Sequence, residues 1–117
     1  MGEENEAQVV YLQLALPGRP ERKIGIFLLD HDSGGLYFRV REDWEHIADP
    51  DEAELLSALS GDFQRRIQEL GDGGGEAFLK TLEDQLSNIL RLTDRERIRV
   101  RDVRAALDRL FDENCTA

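Results

Sequence analysis

Cysteine is nearly absent from this chain, because Cys115 is the only one among its 117 residues. A single thiol cannot form an intramolecular disulfide, so the fold has to be stabilised by an apolar core. Apolar residues make up 40% of the sequence, which at this length is enough for one core and one domain. We expect residues 1–7 to form a disordered polar tail and residues 8–117 to form a single domain.

Long apolar runs are missing as well. No run approaches the roughly 20 residues that a helix needs to cross a bilayer. The segment from Met1 to Glu6 has a net negative charge, whereas a secretory signal begins with a basic segment. We therefore expect a cytoplasmic protein that has no membrane partner.

Positive charge is scarce relative to negative charge. The sequence has 15 Lys and Arg residues against 25 Asp and Glu residues, so its formal net charge is −10. A protein of this composition repels nucleic acid and anionic lipid over most of its surface. The composition therefore disfavours nucleic acid as a partner.

Catalytic motifs are absent too. The sequence contains no Gly-x-Ser-x-Gly elbow, no His-Glu-x-x-His motif and no Cys/His metal spacing. The glycines of residues 71–75 fit neither a P-loop nor a dinucleotide-binding fingerprint, so they predict a flexible linker. His31 and His46 are the only imidazoles that could act as a base. We expect no cofactor and, on balance, no enzymatic activity.

Apolar periodicity is present along most of the chain, and it predicts strands in the first half. From Gln8 to Leu16 the apolar residues alternate with period two, which is typical of a strand. The nearly continuous apolar run from Lys23 to Leu29 predicts a central strand with both faces covered. Leu36 to Arg41 predicts a third strand, joined to the second by a turn at residues 30–35.

Helix signals dominate the second half. Residues 49–52 (Asp-Pro-Asp-Glu) combine an N-cap, a first-turn proline and a capping-box Glu, so they predict the start of a helix that ends near Leu70. A second helix is predicted from about Glu76, with its end either at Asn88 or as late as Leu92.

The remaining segment holds a short strand and a last helix. The alternation within residues 95–101 favours a strand over a helix, and Asp102 predicts the N-cap of the final helix. The predicted order is β-β-β-α-α-(β)-α. This order indicates an α+β fold, with an antiparallel sheet of three to four strands and about three helices packed on one face.

Arginines are concentrated near the end of the chain. Seven of them lie within a short stretch: Arg91, Arg95, Arg97, Arg99, Arg101, Arg104 and Arg109. Residues 91–104 have a local net charge of +3, whereas residues 42–84 have a local net charge of −10. If residues 95–101 are extended, the four alternating arginines Arg95, Arg97, Arg99 and Arg101 line one face of the strand.

Three interpretations of this arginine-rich strand remain open. Its arginines can pair with the acidic helices of the same chain and keep an edge strand soluble. They can bind an acidic protein partner or the acidic surface of a second copy, since guanidinium groups form bidentate contacts with carboxylates. They can also contact phosphates of a nucleic acid, which the overall charge disfavours.

Asp30, His31 and Asp32 are the strongest candidates in the sequence for a metal-binding or catalytic cluster. Two carboxylates and an imidazole could hold a divalent metal ion, or His31 could act as a general base. The same residue types are typical of a turn between strands. A calcium-binding loop that began at Asp30 would end at Arg41, where loops of that type have a Glu. We favour the turn and retain a metal site as an alternative.

Trp44 is the only tryptophan. Tryptophan is enriched at binding hot spots, so Trp44 is a candidate interface residue, although packing beneath a loop is the favoured interpretation.

These observations lead to one functional hypothesis and two alternatives. The leading hypothesis is a small non-catalytic protein-interaction or regulatory module, which binds a protein partner or itself as a homodimer. The first alternative is a small metal-dependent hydrolase centred on Asp30, His31 and Asp32. The second is an anion or nucleic-acid binder that uses the arginines of residues 91–101.

Overall fold

An antiparallel five-stranded sheet lies between helices in the computed structural model of the protein, which describes residues 5–70, 74–85 and 90–115. In chain order the elements are β1 (Asn5–Leu14), β2 (Arg22–Asp30), β3 (Leu36–Val40), a short 3-10 helix (Trp44–His46), α1 (Pro50–Glu69), α2 (Gly75–Gln85), β4 (Leu90–Leu92), β5 (Glu96–Val100) and α3 (Val103–Asn114). The predicted α+β class is confirmed, and so is the strand that alternation predicted within residues 95–101.

The long strand β1 is the centre of the sheet. It pairs with β2 on one side, and β3 pairs with the far side of β2. On its other side β1 pairs with β5 through Asn5–Val9 and with β4 through Leu12–Leu14, so β4 and β5 follow one another along the same edge. Between them the backbone N–H of Thr93 donates to the carbonyl of Tyr11 at 3.0 Å, which continues the ladder.

Helices cover both faces of the sheet. Residues of α1 and α2, such as Phe63 and Leu79, pack in one apolar cluster with Val10 and Leu12 of β1. On the opposite face α3 packs in a second cluster that includes Val9. The prediction that all helices lie on one face is therefore wrong for α3. The physical reason is that β1 and β2 carry apolar residues on both faces, and each face has to be covered.

Three boundaries differ from the predicted ones. β1 begins at Asn5, because residues 5–7 of the predicted tail pair with β5, while residues 1–4 lie outside the described residues. Residues 90–92 form β4 rather than a continuation of the second helix. That helix is described to Gln85, and its predicted end at Asn88 falls outside the described residues, as does most of the predicted glycine linker.

The predicted helix starts are confirmed by their hydrogen bonds. The Glu52 carboxylate accepts from the backbone N–H of Asp49 at 3.0 Å, which is one half of a capping box. The Asp102 carboxylate accepts from the N–H groups of Arg104 and Ala105 at 3.0 and 3.2 Å and caps α3. These caps fix where β5 ends and α3 begins, which positions the arginines described below.

The first residue of α2, Gly75, packs very closely against the β2–β3 turn. A Cβ atom at this position would lie 2.8 Å from the carbonyl oxygen of Gly34 and 2.9 Å from Cβ of Leu36. Glycine is required here because no side chain fits between the helix and the turn. The contact holds α2 against the end of the sheet.

Candidate interaction surface

The fold separates the predicted row of arginines into paired and unpaired members. Two of the seven, Arg91 and Arg95, are in close ion pairs with acidic residues of the same chain. Arg99, Arg101, Arg104 and Arg109 form no ion pair with any residue of the described ranges 5–70, 74–85 and 90–115. The predicted set of Arg95, Arg97, Arg99 and Arg101 therefore differs in its ion-pair partners within the chain.

Arg95 connects the sheet edge to α2 through its hydrogen bonds. Its guanidinium group donates to the carboxylate of Glu83 at 2.8 Å, to the carboxylate of Glu76, and to the side-chain oxygen of Gln8 at 3.2 Å. Its side chain is only 21% exposed. Hydrogen bonds from Arg95 to Glu83 and Glu76 raise the pKa of Arg95 further above its ordinary value. These contacts support the interpretation that part of the arginine segment pairs with the acidic helices.

Arg91 and Arg97 are paired more weakly. Arg91 lies 3.1 Å from the carboxylate of Glu21, and both side chains are about half exposed. Arg97 Nε lies 3.8 Å from a carboxylate oxygen of Glu6, and the Arg97 side chain is 79% exposed. Exposed pairs of this kind contribute at most about 1 kcal/mol to stability.

Three arginines are among the residues that line a cleft between β5 and α3. We call it the arginine cleft: it measures about 510 Å³, and its arginines are Arg99 on β5, Arg101 in the following turn and Arg109 on α3. All three are exposed. Val100, Ala105 and Ala106 supply an apolar part of the lining.

The arginine cleft is positively charged within an acidic molecule. Its lining contains one acid, Asp102, whose Oδ1 atom already accepts the two backbone N–H groups that cap α3. Three arginines and one engaged aspartate give the lining residues a net positive charge, while the whole chain has a net charge of −10. This arrangement is suited to binding an anionic group.

Arg109 joins the cleft through tertiary structure. It lies two helical turns after Asp102, on the side of α3 that borders β5. The alternation of residues 95–101 indicates a strand face but contains no information on which helix residue will stand beside it. The spacing of Asp102, Ala105 and Arg109 along a capped helix is the signal from which this neighbourhood could have been inferred.

Trp44 belongs to the core rather than to a surface. It is 6% exposed and packs in the cluster that α1 and α2 form on the sheet. The structure therefore supports the packing interpretation of Trp44.

The Asp30 carboxylate is used by the turn that it begins. It accepts from Ser33 Oγ at 2.9 Å and from the backbone N–H of Asp32 at 3.3 Å, while its residue is only 8% exposed. His31 and Asp32 are exposed. Among the described residues no group of three or more His, Cys, Asp or Glu side chains is arranged to hold a metal ion. These contacts are those of a turn between strands, the interpretation that the sequence favours.

The other chemically reactive candidates are isolated. His46 is exposed and its Nε2 atom lies 3.9 Å from the carboxylate of Glu45. Cys115 is buried, and burial raises the pKa of its thiol to about 11. A protonated, buried thiol is a poor nucleophile, so Cys115 has the properties of a core residue.

A second cleft, of about 500 Å³, borders the free edge of β3. Arg39 on β3 donates to the carboxylate of Asp108 at 2.8 Å, and its guanidinium lies 4.4 Å from the centre of the Phe111 ring. Arg41, whose side chain is 9% exposed, forms two hydrogen bonds with Asp43 at 2.9 and 2.7 Å. The hydrogen bond from Arg41 lowers the pKa of Asp43 to about 2. Arg39, Arg41 and Asp43 are thus engaged within the chain, whereas Glu42, which also lines this cleft, is exposed.

Comparisons with known proteins return no relative of this chain: no family model, no curated protein and no solved structure matches it. Within the described part of the chain, no helix is long and apolar enough to cross a membrane. The geometry of the described residues therefore carries the functional argument.

Proposed function

We propose that the protein is a small non-catalytic interaction module that binds a carboxylate-rich segment of a protein partner through Arg99, Arg101 and Arg109. The single observation that supports this proposal is the arginine cleft itself. Three exposed arginines are among the residues that line it, and none of the three has an ion-pair partner among residues 5–70, 74–85 and 90–115.

The surplus of acids in the chain makes unpaired arginines informative. With 25 acidic residues against 15 basic ones, a typical arginine of this protein has carboxylates within reach. Arg19, Arg39, Arg41, Arg65, Arg66, Arg91 and Arg95 are all in ion pairs. Arg22 and Arg104 also form no ion pair with a described residue, but neither lines the cleft, and Arg104 lies 5.8 Å from the centre of the Tyr37 ring. Arg99, Arg101 and Arg109 are without an ion pair and line the same cleft. Such an arrangement favours an acidic group that arrives from outside the chain.

Carboxylates suit the arginine cleft better than a nucleic-acid backbone does. A guanidinium group binds a carboxylate with two parallel hydrogen bonds, and the apolar lining can receive the methylene groups of an Asp or Glu side chain. A nucleic acid would have to track a long surface, and the charge of −10 on the whole chain opposes that. A short acidic peptide meets only the cleft and avoids most of this repulsion.

The proposal is tested by titrating a short peptide rich in Asp and Glu into the protein at low salt. The variant Arg99→Gln/Arg101→Gln/Arg109→Gln should bind the peptide at least about tenfold more weakly, which corresponds to about 1.4 kcal/mol. Binding of the wild type should also weaken as salt increases from about 0.05 M to about 0.5 M, because screening shortens the range of the attraction.

The matched control is Arg65→Gln, which removes a positive charge at an exposed site on α1 where the arginine is already paired with Asp62. It should bind the peptide as the wild type does. Equal affinity of the triple variant and the wild type would contradict the proposal. Tighter binding of a single-stranded oligonucleotide than of the peptide would also contradict it, and would support the anion-binding alternative at the same residues.

A further inference from the structure

The outer edge of β3 has backbone groups that no other strand pairs. The N–H of Arg41 donates to the carbonyl of Ile24 at 2.8 Å, and the carbonyl of Gly35 accepts from Asp30 at 2.9 Å. Because backbone direction alternates along a strand, residues 35, 37, 39 and 41 direct their groups towards β2. The N–H and C=O groups of Leu36, Phe38 and Val40 point outwards, and none of them forms a backbone hydrogen bond with another described residue.

The opposite edge of the sheet is protected, whereas this one is not. On β5 the outward backbone groups belong to Arg97 and Arg99, since Glu96, Ile98 and Val100 face β1. Arginines of this kind keep an edge from pairing with another strand. Apolar residues stand at every outward position of β3, and its range contains neither proline nor glycine.

The two arginines beside this edge are already engaged. Arg39 is bound to Asp108 and lies over the ring of Phe111, and Arg41 is bound to Asp43. A neighbouring strand would therefore not have to desolvate an unpaired arginine, and the acidic Glu42 is exposed just beyond the end of β3. The adjoining cleft of about 500 Å³, bordered by Gln64 of α1 and Phe111 of α3, leaves room alongside it.

The outward positions are symmetric about Phe38, so β3 is complementary to a second copy of itself. A two-fold axis at Phe38 places Leu36 of one copy opposite Val40 of the other, and each such pair exchanges two backbone hydrogen bonds. The same register places Tyr37 of one copy beside Arg39 of the other. An aromatic ring beside a guanidinium group is a favourable cross-strand pair.

We propose that two copies of this chain pair antiparallel through β3, centred on Phe38, and join their two sheets into one continuous sheet. The strand that pairs with this edge is β3 of a second copy rather than a foreign strand, because β3 is complementary to itself in its backbone hydrogen-bonding pattern and in its cross-strand side-chain pairs. This interface is independent of the arginine cleft, which lies beside β5 at the opposite edge of the sheet.

Residue-resolved amide hydrogen exchange, measured together with the molar mass by light scattering, tests the proposal. As the concentration rises from about 1 µM to about 500 µM, the mass should rise from 13.4 kDa towards twice that value. The amides of Leu36, Phe38 and Val40 should become protected in parallel. The amides of Arg97 and Arg99, which point outwards on the other edge, should continue to exchange rapidly and serve as an internal control.

Salt and a pair of variants at one position complete the test. Each copy has a charge of −10, so screening of the mutual repulsion should strengthen the dimer as salt increases, whereas peptide binding at the arginine cleft should weaken. Tyr37→Lys places like charges opposite each other and should weaken dimerisation about tenfold or more, while Tyr37→Phe should preserve it. Circular dichroism checks that both variants are folded.

Three outcomes would overturn the inference. One is a monomer at the highest concentration with rapid exchange at Leu36, Phe38 and Val40. Another is a dimer whose formation protects Arg97 and Arg99 instead, which would assign the interface to β5. The third is protection of the β3 amides in a monomeric protein that retains a co-purified peptide, which would assign the edge to a foreign strand. None of these outcomes bears on peptide binding at the arginine cleft.

Discussion

At the scale of single residues, the partners of each arginine decide its role. Arg95 is held by two carboxylates and an amide, and its side chain is mostly buried. Arg99 is also an arginine and lies four residues further along the chain, yet no described residue forms an ion pair with it. The difference comes from α2, which brings Glu76 and Glu83 to Arg95. Residue type alone does not distinguish a structural arginine from one that is available to a partner.

Asp43 provides a prediction about pH. Its hydrogen bond from Arg41 lowers the pKa of Asp43 in the folded state from 3.8 to about 2, so the unfolded state takes up the proton first as pH falls. The stabilisation from the charged carboxylate should therefore be fully present above about pH 4 and be lost as pH falls through about 2. Asp43→Asn should be less stable than the wild type at pH 7, and this difference should shrink across that window.

Urea unfolding at a series of pH values measures this effect. The control is Glu45→Gln, which removes a neighbouring carboxylate that is 74% exposed and lies 3.9 Å from His46. It should change the stability little at any pH. A difference between Asp43→Asn and the wild type that stays constant from pH 7 to about pH 2.5 would contradict the role assigned to the Arg41–Asp43 pair.

At the scale of secondary-structure elements, close packing fixes α2 against the sheet. Gly75 leaves no room for a Cβ atom beside Gly34 and Leu36, whereas a Cβ at Gly61 in α1 would meet nothing within 4 Å. The two glycines therefore predict opposite outcomes for the same substitution. Gly75→Ala should destabilise the protein by roughly 1–3 kcal/mol, because either α2 or the β2–β3 turn has to move to make room for the methyl group.

Gly61→Ala is the matched comparison. It should stabilise the protein by up to about 1 kcal/mol, because alanine has the higher helix propensity and the site is open. Chemical denaturation of the two variants beside the wild type gives both values. Stabilisation by Gly75→Ala, or destabilisation by Gly61→Ala, would show that the packing of that helix differs from the one described.

Most elements were predictable from the sequence because their signals are local. Period-two alternation indicated β1, a nearly continuous apolar run indicated β2, and the segments around Asp49 and Asp102 indicated where α1 and α3 begin. β4 is only three residues long, Leu90–Leu92, and too short to show a period. It exists because β1 extends past β5 and leaves Leu12–Leu14 for it to pair with.

The position of α3 was predictable in part. The run Lys23 to Leu29 indicated a strand covered on both faces, and this strand requires an element on each side of the sheet. The prediction that all helices lie on one face is inconsistent with this requirement, because it leaves the other face of the strand uncovered. The arginine cleft was harder to predict from the sequence. It depends on which side of α3 faces β5, and packing of the whole domain decides that.

At the scale of the whole molecule, charge and edges suggest two separate interfaces. One edge of the sheet ends in β5, where arginines prevent strand pairing and border a positive cleft. The other ends in β3, where unpaired backbone groups and apolar residues favour pairing. Salt should act on these two interfaces in opposite directions, weakening one and strengthening the other. A module with this layout can present two arginine clefts from one dimer.

Binding of carboxylates by the three arginines of the cleft is tested most directly by NMR of the arginine Nε–Hε groups. On titration with the acidic peptide at low salt, the signals of Arg99, Arg101 and Arg109 should shift together with one affinity. The signals of Arg65 and Arg95, which are paired within the chain, should stay in place. Shifts of Arg95 and Arg65 in the absence of any at Arg99, Arg101 and Arg109 would contradict the account.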